Sequence, residues 1–231
     1  MLYREAGDFS KTYREDSQTF PIRFDRYRYY AVLLIAFAII PFLLNDYWVN
    51  AIFLPFLIYS IAAIGLNILT GYCGQVSLGT GGFMAVGAYA TYKLMTSFPE
   101  VSMVVHILLA GGITAFVGVL FGLPSLRIKG FYLAVATLAA QFFLVWLFNR
   151  VPWFYNNSAS GQINSPERTF FGVPITGANT EPWAVYLFCL LFVALSAVIA
   201  RNLTRGAMGR KWMAIRDMDI GAEVIGGNPF T

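Results

Sequence analysis

Residues 48–69 read WVNAIFLPFLIYSIAAIGLNIL, twenty-two positions without one formal charge. Lipid offers no partner for backbone N–H and C=O groups, so a chain crosses it as a helix that satisfies them internally, and needs about 20 apolar residues to do so. The stretch meets that requirement and predicts a transmembrane helix, with Pro55 as its kink. Tyr47 and Trp48 suit the headgroup level as anchors, and Asn45-Asp46 forms the short turn before them. Upstream, roughly 29–45 predicts a first span with Pro41 near its far end. Downstream, further spans are expected at about 83–97 (short and rich in small residues), 101–123, 130–149 and 183–200. The chain is 58% apolar and 12% charged, against about 25% charged in a soluble domain. A soluble protein of this composition would lack the polar surface to dissolve. The fold class is therefore all-α, a polytopic transmembrane helix bundle of about six spans.

Charge sets the organisation and the orientation. Residues 1–28 form a polar arm, 29–200 the transmembrane domain, with 150–182 as a polar loop, and 201–231 a basic tail. With the N-terminus inside, thirteen of the sixteen Lys and Arg residues fall in inner segments. They are Arg4, Lys11, Arg14, Arg23, Arg26 and Arg28 in the arm, Arg127 and Lys129 between spans four and five, and Arg201, Arg205, Arg210, Lys211 and Arg216 in the tail. Only Lys93, Arg150 and Arg168 lie outside, so the positive-inside rule places both termini in the cytoplasm. The net charge of +4 thus reports topology and membrane lipid, and nucleic acid is not an expected partner. The first 28 residues lack the apolar core and cleavage site of a signal peptide.

Several chemistries find no support. Cys73 and Cys189 form no CxxC pair, and His106 is the single histidine, so free thiols and no metal or other cofactor are expected. Phosphate-binding loops and catalytic triads are absent, which argues against an enzyme. Intramembrane ionisable groups usually mark ion coupling, yet the spans hold only His106 and Lys93, both near outer ends. Energy is expected from a partner, or transport is passive.

Three segments could carry function. Gly71–Gly82 packs five glycines into twelve residues between two apolar runs. It reads either as a broken element lining a polar pathway, with Gln75, Ser77 and Thr80 as hydrogen-bonding groups, or as a tight turn followed by a small-residue packing face through Gly82, Ala85, Gly87, Ala88 and Ala90. Gly122–Gly130 holds Pro124, Arg127 and Lys129 and reads first as a topogenic loop. In the tail, Trp212 and Ile215 follow helical spacing, and Ala222 and Gly226 leave one face narrow enough for a close partner. That segment could dock another protein or lie on the membrane.

Three motifs carry a resemblance. GLNILTGYCGQVSLG (65–79), GLPSLRIKGFYLAVATLA (122–139) and GRKWMAIRDMDIGAEVIG (209–226) resemble, in order, the signatures of the LivM-type permeases of branched-chain amino-acid ABC importers. The resemblance implies a permease subunit of a bacterial inner-membrane importer that works by alternating access. It also implies a LivH-like second permease, two cytosolic ABC ATPase subunits and a periplasmic substrate-binding protein, with 150–182 as the periplasmic loop. By position, Gly209, Ala214, Ile215, Arg216, Asp217, Asp219, Ala222 and Gly226 match the loop that couples to the ATPase. Gly71, Gly74, Gln75, Ser77, Gly79 and Thr80 match the segment associated with the translocation pathway. The implied substrates are leucine, isoleucine and valine, with urea or short amides as the alternative carried by related permeases. Thr80 stands where many members have His. Gly221 stands where Ala is usual, at a helical cost of ~1 kcal/mol. Members continue through further spans beyond the point matching Thr231, so the family domain is expected to be incomplete here, through truncation or separate encoding. A passive channel, a gradient-driven carrier and a non-transporting membrane scaffold are the competing readings.

Overall fold

Pro41 and Pro55 sit inside apolar helices, and both are accommodated in the same way. A proline lacks the N–H of the helical ladder, and its ring collides with the carbonyl four residues back. In the computed structural model, which describes residues 12, 23–43, 45–125, 132–158, 163, 165–170, 172–177 and 180–218, a π-helical turn precedes each proline. Ile40 donates to the Ile35 carbonyl just before Pro41, and Leu54 donates to the Val49 carbonyl just before Pro55. Widening the turn draws the carbonyl away from the ring, so the helix continues. At Pro55, where a kink is expected, the structure shows this widened turn.

The chain divides into two units, residues 1–44 and 45–231. The first holds α1 (Phe24–Leu43), long and apolar enough to cross a membrane. At its start the Arg28 guanidinium lies over the Phe24 ring, 5.7 Å from its centroid. The second unit holds α2 (Asp46–Tyr72), α3 (Thr80–Ser97), α4 (Met103–Ser125), α5 (Tyr132–Arg150), α6 (Pro182–Arg205) and α7 (Ala207–Asp217). Helix α2 packs on α6, where Phe53 meets Tyr186 edge-on at 5.6 Å. Helix α3 packs on both α4 and α5.

Five helices of the described residues, α1, α2, α4, α5 and α6, are long and apolar enough to cross a membrane. The predicted third span is helical as α3, but its glycines, threonines and Lys93 leave it outside that group. The segment before α3 is held at Gly71 by Arg216 of α7, and the last turn of α3 is held by Arg168 and, through Lys93, by Asn156. Its 18 residues make about 27 Å of helix, packed against α4 and α5.

Close approach explains the small residues. A Cβ on Gly82 would stand 3.0 Å from the Gln141 Cα of α5, and one on Gly87 would stand 3.3 Å from the Thr114 hydroxyl of α4. On α5, Ala134, Thr137, Ala140, Leu144 and Phe148 recur at three- and four-residue spacing and are all buried. Val86, Leu144 and Phe148 form the core, with the Tyr89 ring stacked on Phe148 at 4.3 Å and Phe154 edge-on to Phe148 at 4.9 Å. Lipid is as apolar as these side chains, so fit rather than exclusion from water selects them.

The segment between α5 and α6, expected as a polar loop, contains a short hairpin. Strands β1 (Arg168–Phe170) and β2 (Val173–Thr176) pair antiparallel with Arg168 opposite Thr176. Gly172, at φ +83°, supplies the left-handed turn residue. Arg168 donates to the Met95 and Pro99 carbonyls, a cation on the acceptors that end α3. Lys93 donates to Asn156 and lies 4.3 Å from the Trp153 ring centroid, and Asn156 donates to the Tyr92 hydroxyl at 2.8 Å.

Candidate functional site

The glycine-rich segment is where the helical ladder stops. Helix α2 ends in a third π-helical turn, Ile68–Tyr72, with the Cys73 N–H on the Ile68 carbonyl at 3.1 Å. Gly74 then takes φ +67°, a left-handed conformation that glycine adopts without cost. The chain turns back so that Gln75 N–H reaches the Leu69 carbonyl at 3.0 Å. The usual glycine-terminated helix closes this loop one residue shorter, and the π turn accounts for the difference. From Cys73 to Gly79 the backbone is non-helical, and α3 starts at Thr80 without a side-chain cap.

This passage is pinned from α5. The Leu78 N–H donates to the buried Thr137 hydroxyl at 3.0 Å, while that hydroxyl donates back to its own helix at Leu133, 2.9 Å away. Gly79 lies so close to α5 that a Cβ would stand 2.5 Å from the Thr137 carbonyl oxygen. Ser77 Oγ accepts a longer contact from the Gly79 N–H at 3.4 Å.

Beside the passage lies a cleft of about 600 Å³, within the ~300–1,000 Å³ range of small-molecule sites. Leu66 and Leu69 of α2, Phe83 and Met84 of α3, and Val119 and Leu123 of α4 give it an apolar wall. Gln75, Ser77, Thr80 and Thr137 are its polar groups, and among the described residues no charged side chain lines it. Gly65, Gly118 and Gly122 also border it, each with open space where a Cβ would stand. Such a surface matches an aliphatic group by contact and offers hydroxyl and amide groups for hydrogen bonding.

The sequence-predicted pathway residues thus fall into three positions. Gln75, Ser77 and Thr80 line the cleft. Gly79 is the contact point with α5, and Gly71 and Gly74 face α7. Residues that line the cleft thus alternate with glycines that pack. Thr137 was not among the predicted site residues. Its signal was faint: a hydroxyl in the apolar run 130–149, in a residue type that spans tolerate by bonding their own backbone.

Of the predicted coupling residues, Gly209 is buried where α7 turns back on α6, and a side chain there would enter the Thr204 backbone. Ile215 is half-buried, and Ala214, Arg216 and Asp217 are exposed. Asp219, Ala222 and Gly226 lie outside the described residues, as do Arg127 and Lys129 of the predicted topogenic loop. Helix α7 packs on α6 and on the π turn that ends α2. Arg216 pairs with Asp217 at 2.9 Å and donates to the Gly71 carbonyl. Cys73, between these contacts, is half-buried, and burial pushes its thiol above the ordinary range. No group of His, Cys, Asp and Glu that could hold a metal occurs among the described residues.

Comparison with known proteins gives a consistent picture. Residues 49–231 match the family described as branched-chain amino acid transport system, permease component. The chain is 32% identical over 193 residues to the high-affinity branched-chain amino acid transport system permease protein LivM of Salmonella typhimurium strain LT2, covering 75% of this chain and 45% of that protein. It is 31% identical over 219 residues to the protein of the same name in Escherichia coli K12, covering 86% and 50%. The chain spans about half the length of these curated relatives. No solved structure matches it.

Proposed function

This chain belongs to the family of permease components of branched-chain amino acid transport systems, and from that premise we propose that it forms part of an ATP-driven importer of branched-chain amino acids in a bacterial inner membrane. The observation that carries the reading is the cleft at the glycine break. Its wall of Leu66, Leu69, Phe83, Met84 and Val119 suits an aliphatic side chain. The polar end of an amino acid would meet Gln75, Ser77, Thr80 and Thr137, together with the uncapped first turn of α3, whose N–H groups favour a carboxylate.

Energy would come from outside this chain. Its carboxylates among the described residues are Asp25, Asp46, Glu100, Glu167, Glu181 and Asp217, near or beyond helix ends, which gives no basis for proton or sodium coupling at mid-depth. Two cytosolic ABC ATPase subunits would hydrolyse ATP, with α7 and the residues after it as their docking segment. A LivH-like permease would complete the pathway, and a periplasmic binding protein would deliver the solute near the α5–α6 loop.

The test is uptake into proteoliposomes by the complex purified with its partners. Leucine, isoleucine and valine should accumulate only with ATP and binding protein, and an inactive ATPase subunit should abolish it. Uptake that survives ATPase inactivation and collapses with the proton gradient would establish a gradient-driven carrier instead. Urea or acetamide uptake without leucine uptake would move the substrate class to short amides. A complex whose ATPase ignores loaded binding protein would indicate a scaffold.

A further inference from the structure

Arg216 sits at the one place among the described residues where α7 touches the end of α2 through a charged group. Its guanidinium donates to the Gly71 carbonyl, one of the acceptors left without an intrahelical partner at a helix end. Its aliphatic stem lies across Gly74, where an added Cβ would stand 2.5 Å from the Arg216 Cγ. The same side chain thus holds both sides of the left-handed turn at Gly74. Gln75 and Ser77, which line the cleft, follow directly, and the far end of the passage is fixed to α5 through Leu78 and Thr137. A passage pinned at one end and gripped at the other moves when the grip moves.

We propose that Arg216 is the positioning residue that transmits displacement of α7 to the glycine break, so that α7 sets the geometry of Gln75 and Ser77 in the cleft. This inference rests on the permease reading and adds to it the joint between the cytoplasmic segment and the site. Gly71 and Gly74 are then the receiving half of that joint: Gly71 offers its carbonyl, and Gly74 leaves room for the stem. The Arg216–Asp217 pair, at 2.9 Å, holds the guanidinium plane toward Gly71.

Cys73 lies between Gly71 and Gly74 and reports on the joint directly. The experiment uses the full complex with Cys189→Ser, so that Cys73 is the thiol followed in this chain, and N-ethylmaleimide as probe. In the otherwise unsubstituted complex, the Cys73 alkylation rate should differ on the order of tenfold between the nucleotide-free and the vanadate-trapped ATP states. Arg216→Gln should erase that difference and lower uptake on the order of tenfold. Arg216→Lys keeps the stem and one charged donor and should restore a large part of both signals. Wild-type uptake and state-dependent labelling in Arg216→Gln would overturn the inference alone. A variant complex that falls apart on gel filtration would overturn it too, by marking Arg216 as a structural contact. No ATP-driven uptake even before substitution would overturn the permease reading beneath it.

Discussion

At the scale of single residues, glycines that look alike in the sequence differ in what surrounds them. Gly79 faces the Thr137 carbonyl, a backbone atom that cannot rotate away. Gly79→Ala is therefore expected to cost roughly 2 kcal/mol by overpacking and to lower uptake, because the passage beside the cleft must shift. Gly112 of α4 has nothing within 4 Å of the added methyl, and Gly112→Ala should be neutral or stabilising by up to about 1 kcal/mol. Thermal unfolding of the two detergent-solubilised variants checks the contrast, and equal melting temperatures would contradict it. Cys73 gives a prediction in pH. Its thiol is pushed above the ordinary 9.0 by burial, so less thiolate exists at any given pH than in a free cysteine. Maleimide alkylation of Cys73 in a Cys189→Ser background should be slow at neutral pH and still climb beyond pH 9.0. A rate that levels off below that value would show a thiol activated rather than suppressed.

At the scale of elements, helix type was legible and helix contact was not. Charge-free runs and the two prolines announce α1, α2, α4, α5 and α6, because the lipid requirement acts on each helix separately. The face of α5 that carries Ala134, Thr137, Ala140, Leu144 and Phe148 is invisible in a run that is apolar all round, since no polar side marks the inner one. Leu144 is 4% exposed and Phe142, two residues away, 68%. Leu144→Ala should cost roughly 2 kcal/mol through the cavity it leaves. Phe142→Ala removes the larger side chain yet should cost far less, because lipid fills the space. The melting temperature of each variant measures this, and a larger loss for Phe142→Ala would assign the wrong face to the core. Helix α3 shows the converse case. Its low hydropathy sets it apart from those five helices, and its packing against α4 and α5 was not legible in its own residues.

At the scale of the whole molecule, the charge distribution predicts an orientation in the membrane, with α3 as a crossing helix. Single cysteines in a background lacking Cys73 and Cys189 test it with a membrane-impermeant maleimide. Phe98→Cys and Ser158→Cys should react from the outer side, Val76→Cys and Met208→Cys from the inner side. Labelling of positions 76 and 98 from one side would remove α3 from the spans.

The sequence by itself determined that this protein lives in lipid, where its apolar helices lie and, through three motifs, its family. Each of those is fixed by local chemistry: apolar length, the missing proline N–H, and the cost of moving charge across a bilayer. The tertiary structure alone decided that Gly79 and Gly82 pack while Gln75, Ser77 and Thr80 line a cleft, that Thr137 anchors the passage, and that Arg216 reaches back 145 positions to Gly71. Those contacts join residues far apart in the chain, and no spacing rule carries information across such distances; they exist only once the helices have chosen their neighbours by fit.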